Sequence, residues 1–359
     1  MANRSFDVII VGASFAGLAV ARRLRGEVLL LDRHEVGTVQ TSACGTPLWV
    51  PRHFGVEGSV LQVHDRLELR AGARVITYDL RAVPFCTFDF FSFTRGLLEQ
   101  SRVRFLRAPV TDYRDGTVMT PAGRFSAPVV IDASGWRGVV MNRGELPNVA
   151  AGGYSFGLES PTALHDDKLT LILDRRVMPR GLGWIFPVGR GSLIGLGSYT
   201  GASRLGPKLR RFLRSLEVSP ATYHGTFFPS RPLDSTGAGV FAAGDAAGQC
   251  LPLTAEGIRP ALFFGDLCGR IVQQITEGRL SLARGLAEYD SAVARYRRAY
   301  TILRGAQWLA TRLPAEWFGS IAASFRHRPL LDYWWPRYGL FGRAPTPERE
   351  VSLIPGAPA

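Results

Sequence analysis

The strand-like stretch Asp7 to Val11 is unbroken in apolar residues from Val8 on and stops at the small-residue stretch Gly12-Ala13-Ser14-Phe15-Ala16-Gly17. An apolar run without alternation suits a parallel strand covered on both faces, and the pattern after it predicts a tight turn and a helix over Phe15 to Leu24. A second run, Val28 to Leu31, ends in Asp32, and a third, Pro128 to Ile131, ends in Asp132-Ala133-Ser134-Gly135. A fourth, Val240-Phe241-Ala242, ends in Gly244-Asp245, and Pro252 and Glu256-Gly257-Ile258 then lead into another helix. Between these runs the pattern changes to alternation, in Leu67 to Thr77, Leu169 to Leu173, Trp184 to Val188 and Ser192 to Leu196. Alternation of this kind predicts an antiparallel sheet with one wet face. Residues 286–345 read as a helical segment, and the Pro-rich end, 346–359, as a flexible tail.

The first turn has the chemistry of a dinucleotide site. Gly12 allows the turn, Gly17 lets helix and strand approach, and the helix N-terminus aims amides at a pyrophosphate. Asp32 follows Gly12 by 20 residues, the place from which a carboxylate reaches an adenosine ribose. The middle glycine of the usual fingerprint is Ser14, whose hydroxyl is a further donor to phosphate.

Composition narrows the choice of class. With 359 residues, 46% hydrophobic and 20% charged, the chain is globular and long enough for about two domains. No apolar run reaches the length of a membrane span, and Met1-Ala2-Asn3-Arg4 leads directly into the first strand. The expected location is therefore cytoplasmic, with peripheral contact at the inner membrane surface open. Cys44, Cys86, Cys250 and Cys268 are widely spaced, which argues against a zinc ribbon or a dithiol motif, and no metal site is expected. The net charge of +13 is almost all arginine, Lys168 and Lys208 being the two lysines. It selects no partner alone, and no nucleic-acid motif accompanies it.

Four segments together resemble flavin-dependent oxidoreductases of the geranylgeranyl reductase family, within the larger group that includes the aromatic hydroxylases. They are the N-terminal turn, Thr41-Ser42-Ala43-Cys44-Gly45, Gly183-Trp184-Ile185-Phe186-Pro187, and Gly244-Asp245 with Glu256-Gly257-Ile258. The resemblance implies an α/β fold: a Rossmann-like FAD-binding domain, an inserted antiparallel-sheet substrate domain and a C-terminal helical segment. On this reading 1–55, 88–150 and 233–285 form the discontinuous FAD domain, and 56–87 and 151–232 the substrate domain.

The cofactor-binding set so implied is Gly12, Ala13, Ser14, Ala16, Gly17, Asp32, Arg33, Ser42, Ala43, Cys44, Gly45, Arg95, Val110, Ala133, Gly135, Gly244, Asp245, Gly257 and Ile258. Asp245 would bind the ribityl or pyrophosphate part, and Gly257 and Ile258 would set amides near the flavin ring. A helix-capping role for Asp245 is compatible with the same geometry. Cys44 is expected as a wall of the active site and is the candidate catalytic residue. Trp184, Phe186 and Pro187 are expected to meet substrate, though core roles for the two aromatic residues are equally compatible with the pattern.

Aromatic hydroxylases extend the third turn with Asp-Gly, then a Ser and an Arg that help bind NADPH, and in Asp132-Ala133-Ser134-Gly135-Trp136-Arg137-Gly138 these two are missing from their places. The electron donor, NADPH or a reduced carrier, stays open. Halogenases need a lysine here, and Lys168 lies only 16 residues before Trp184. The implied activity is reduction of C=C bonds in an isoprenoid or other long apolar substrate by hydride transfer from flavin N5. A monooxygenase or a dehydrogenase acting on a natural product is the alternative. Residues 295–343 carry nine arginines against Glu316 and Asp332, with Trp308, Trp317, Trp334 and Trp335. That mixture suits a lipid headgroup zone or a lid over a long apolar substrate, or a helical cap on the cofactor domain.

Overall fold

The computed structural model describes residues 4–40 and 42–324. Thr41 and the expectations for 325–359, including Trp334, Trp335 and the tail, lie outside the described residues. Four apolar segments, Val240–Ala242, Val129–Asp132, Val8–Val11 and Val28–Asp32, and the arginine-flanked Arg104–Arg107 at the edge align in that order as parallel strands. A short antiparallel strand, Thr236–Gly237, closes one edge. Both faces of this sheet are covered. Val8, Ile10, Leu30 and Ile131 pack against the helices Phe15–Ala21 and Ile258–Thr276. Their alternates Ile9, Leu29, Leu31 and Val130 pack against Tyr113, Val118 and Phe125 of a small four-stranded sheet. Each such buried aliphatic side chain contributes about 1.5–3 kcal/mol, which is why these strands tolerate no polar alternation. The first helix stops at Ala21, shorter than the sequence pattern predicts.

A seven-stranded sheet lies over the carboxyl ends of the parallel strands. Its order is His224–Pro229, Tyr154–Thr162, Ser192–Ser198, Gly181–Pro187, Leu169–Leu173, Arg66–Ala71 and Arg74–Asp79. Two expectations are corrected here. The stretch Leu67 to Thr77 is a hairpin of two strands, and Arg66–Ala71 pairs parallel with Leu169–Leu173, so the sheet is not wholly antiparallel. Neither face of its centre is wet. Every residue of Ser192–Ser198 is buried, because the helix Gly206–Ser215 covers one face through Leu209, Phe212 and Leu213. The opposite face roofs a cavity.

The C-terminal helices Leu282–Ala294 and Arg297–Arg312 brace the turn below this cavity. Tyr289 donates to the Ala242 carbonyl at 3.0 Å, and Tyr300 donates to that of Gln249 at 2.6 Å. A last helix, Ala315–Ser324, packs Phe318 and Ala322 against Leu69 and Ile76 of the upper sheet. No described helix is long and apolar enough to cross a membrane.

Candidate functional site

Between the two sheets lies a cavity of about 490 Å³ lined by residues from both ends of the chain. Its floor begins at the first turn, where Gly12, Ala13, Ser14 and Ala16 line it. Gly12 has φ +107°, and a Cβ there would stand 2.1 Å from the Ala133 carbonyl oxygen. Only glycine allows the first and third strands to bring their turns this close. Asp32 Oδ2 accepts from the Ala13 amide at 2.8 Å and Oδ1 from the His34 amide at 2.8 Å, so this carboxylate also ties the turn to the second strand. Arg33, Val110, Ala133 and Gly135 line the same end. Asp132, fully buried, pins the third turn by accepting from the amides of Ser134, Val140 and Met141. Burial nonetheless pushes its carboxyl above the usual range.

At the other end of the floor Gly244, Asp245, Gly257 and Ile258 line the cavity. The last two open the 19-residue helix Ile258–Thr276, whose N-terminal dipole favours negative charge. The loop before it is strained, with Leu253 at φ +69° and Ala255 at +54°. It is clamped by the buried Arg259, which donates to both carboxylate oxygens of Glu256 at 2.7 Å.

Two features test whether these residues suit FAD. The Arg137 Nε is buried without a hydrogen-bond partner, and its guanidinium lines the cavity beside Arg33. Burial, and secondarily the neighbouring Arg33 charge, lowers the Arg137 pKa. Two cations at the nucleotide end, one with an orphaned donor, match an anionic diphosphate. Asp245 faces the cavity with no partner among the described residues, and burial pushes its carboxyl up to about 7. A carboxyl so placed needs donors, such as the hydroxyls of a ribityl chain. The residues fit the group.

The roof is built from side chains. Leu182, Trp184 and Phe186 alternate toward the cavity along Gly181–Pro187, joined by Leu67, Leu169 and Phe228. Across the strands one rung is fully in register: His224 opposite Glu159, Glu159 opposite Gly195, Gly195 opposite Trp184. Gly195 is vacant ground for the indole, since a Cβ there would lie 2.2 Å from the Trp184 ring. The indole therefore crosses the glycine and donates Nε1–H to Glu159 Oε2 at 2.8 Å. His224 Nε2 meets Glu159 Oε1 at 2.5 Å, and Gln40 Nε2 approaches the same oxygen at 3.4 Å. Gln40 also bonds the Ser42 carbonyl at 2.8 Å, tying this rung to the loop of Ser42, Ala43 and Gly45 at the cavity wall. Glu159, His224 and Gln40 are functional candidates that sequence reasoning missed. The available signal was a lone carboxylate in mid-strand among small and apolar residues.

Four expected site residues do not face the cavity. Cys44 is 1% exposed, and its φ of +56° turns the thiol into the core beside Phe15, Val50 and Phe88. Its Sγ lies 3.2 Å from the Ser42 carbonyl oxygen, and burial, with the Glu159 charge second, pushes the thiol well above its ordinary value. It is not among the residues that line the cavity. Arg95 sits on the helix Phe90–Glu99, where Phe90 lines the cavity but a residue five positions on points elsewhere. Gly17 packs against the Gly12 carbonyl. Pro187 is on the odd-numbered face of its strand, away from Trp184 and Phe186, with its carbonyl held by the Thr87 hydroxyl. Lys168 is paired with Glu68 at 3.4 Å, outside the cavity lining.

No protein-family model matches the chain. It is 30% identical over 141 residues to a digeranylgeranylglycerophospholipid reductase of Methanopyrus kandleri, covering 35% of this chain and 36% of that protein. The match thus spans about a third of that relative's length. A geranylgeranyl bacteriochlorophyll reductase-like protein of Thermoplasma acidophilum superposes with TM-score 0.78 at 17% identity, over 88% of this chain and 90% of that one. The p-nitrophenol 4-monooxygenase of Pseudomonas putida superposes with TM-score 0.75 at 14% identity, over 95% and 100%. These two likenesses show that the chain shares the fold of both proteins.

Proposed function

We propose that this protein reduces C=C bonds of an isoprenoid or similarly long apolar substrate. The observation that carries the reading is the roof: an apolar wall of Leu67, Leu169, Leu182, Phe186 and Phe228, interrupted by one polar rung, directly above the cofactor floor. The reductase from Methanopyrus kandleri supports it, because its name specifies geranylgeranyl chains on a phospholipid. FAD, when bound, supplies stored electrons and the hydride. The chain does the rest. Arg33, Arg137 and the first turn hold the anionic diphosphate, and Asp245 holds the polyol. The start of helix Ile258–Thr276 favours negative charge where Gly257 and Ile258 line the cavity. The roof excludes water and aligns an alkene against the floor.

The test is anaerobic. Holoenzyme reduced with dithionite, which removes dependence on NADPH or a carrier, is mixed with a geranylgeranyl glycerolipid. Flavin reoxidation with a product gain of two hydrogens per turnover is expected. A product heavier by one oxygen in air, or lighter by two hydrogens from oxidised enzyme, replaces this reading with monooxygenase or dehydrogenase.

We extend the proposal to the site of access. Ile302, Trp308 and Trp317 are each more than half exposed on the last two helices, where Arg298, Arg304 and Arg312 are exposed as well. Arg312 lies over the Trp308 ring at 4.1 Å. This mixture suits an anionic lipid surface, so co-sedimentation with phosphatidylglycerol vesicles should fall when Trp308 and Arg312 are both changed to Ala. Equal binding by the double variant counts against it.

A further inference from the structure

The proposed reduction needs a proton as well as a hydride, and the roof rung contains one titratable group suited to give it. We propose that His224, oriented by Glu159, is the catalytic acid that protonates the substrate alkene. This inference rests on the C=C reductase reading. Glu159 is 3% exposed, and a carboxylate accepts only, so His224 Nε2 must carry the proton in their 2.5 Å contact. That assignment leaves Nδ1 as the exchanging atom. The ring lines the cavity, its side chain is 23% exposed, and Nδ1 has no partner among the described residues. Trp184 Nε1–H fills the second carboxylate oxygen, so Glu159 cannot rotate away from the histidine. Glu159 and Trp184 are positioning residues, and their backbones are fixed by the register of four paired strands. Gln40 brings the rung up against the loop that flanks the cofactor floor.

The step balances simply. The π electron pair of the alkene forms a C–H bond with the Nδ1 proton, while the other alkene carbon takes the hydride that reduced flavin supplies. The imidazolium becomes the neutral Nε2–H tautomer, still bonded to Glu159, and solvent restores the proton. No rearrangement of the rung is required.

Two measurements test this. The first is independent of turnover. Oxidised holoenzyme is treated with diethyl pyrocarbonate and mapped by peptide mass, with and without a saturated phytanyl glycerolipid. His224 should be modified in free enzyme and protected by the lipid. A His224 that reacts equally in both overturns the proposal. The second is anaerobic single turnover with the geranylgeranyl lipid, in variants that retain wild-type flavin content. H224Q should slow alkene reduction by about 10²–10⁴-fold, the usual worth of a positioned acid, with lipid affinity unchanged. E159Q should lower kcat with little change in KM, and E159D should recover part of the loss. Wild-type rates in H224Q sink the acid role while leaving the reductase reading intact. A wild type that leaves the alkene unreduced removes the reductase reading itself.

Discussion

The floor and the roof of the cavity achieve their geometry by opposite means. The floor is shaped mainly by backbone: apolar parallel strands end in turns of Gly, Ala and Ser beside one helix start, with Arg33, Arg137 and Asp245 set around them. The roof is made of side chains, three of which meet only because four strands pair in one register. A backbone site depends on space that glycine leaves open. A side-chain site depends on alignment, and a glycine serves it differently, as bare ground on which a larger neighbour lies.

The largest effect should come from filling the floor. Gly12→Ala places a Cβ against the Ala133 carbonyl oxygen and adds about 1–3 kcal/mol of backbone strain to that clash. Colourless protein with a clearly lowered urea midpoint is expected. Retained yellow colour at normal stability would show that the first turn does not have to be so tight.

Next is Asp245→Ala, which removes the unpartnered carboxyl of the floor. It should weaken FAD binding by about tenfold to a hundredfold, the worth of hydrogen bonds to a charged group. Asp245 also predicts a pH effect in flavin-free protein. Its carboxyl titrates near 7 when folded against an ordinary 3.8, so the native chain keeps a proton that the unfolded chain has lost. That contribution to stability is complete below pH 3.8 and disappears as the pH rises through 7. Asp245→Asn should flatten this part of the melting profile. An unchanged slope would assign the carboxyl an ordinary environment.

Gly195→Ala tests the roof. The added methyl displaces the Trp184 indole and breaks its bond to Glu159, costing about 1–3 kcal/mol as an overpacked site. Flavin content should stay normal while turnover falls, the reverse of the floor variants. Equal loss of flavin would mean the two regions are not separable.

The smallest effect belongs to Cys44→Ala. The thiol is buried and turned from the cavity, so stability should fall by about 1 kcal/mol and turnover should hold at the wild-type level. Loss of turnover with normal flavin binding would return Cys44 to the active site.

The floor was largely legible because its chemistry follows chain order. Strand, glycine turn and helix are consecutive, Asp32 lies a fixed distance on, and Gly244-Asp245 precedes Gly257-Ile258 by a short loop. The errors there came from side-chain direction. Cys44 sits in the same loop as the cavity-lining Ser42, Ala43 and Gly45, and its left-handed backbone turns it inward. In the roof strand, Pro187 lies on the opposite face from Trp184 and Phe186, which line the cavity. The roof was barely legible. Gln40, Glu159, Trp184 and His224 are separated by up to 184 residues, and no local pattern marks them as neighbours.

What the sequence determined by itself is therefore the glycine turns of the floor, the apolar parallel strands and the resemblance to flavoproteins. Each rests on local backbone requirements, glycine where space is short and unbroken apolar runs where both faces are covered. Tertiary structure alone decided which carboxylate faces the cavity, which thiol is hidden and how a histidine acquires its partner. Strand register and backbone handedness set those outcomes, and both are properties of paired strands that no single segment carries.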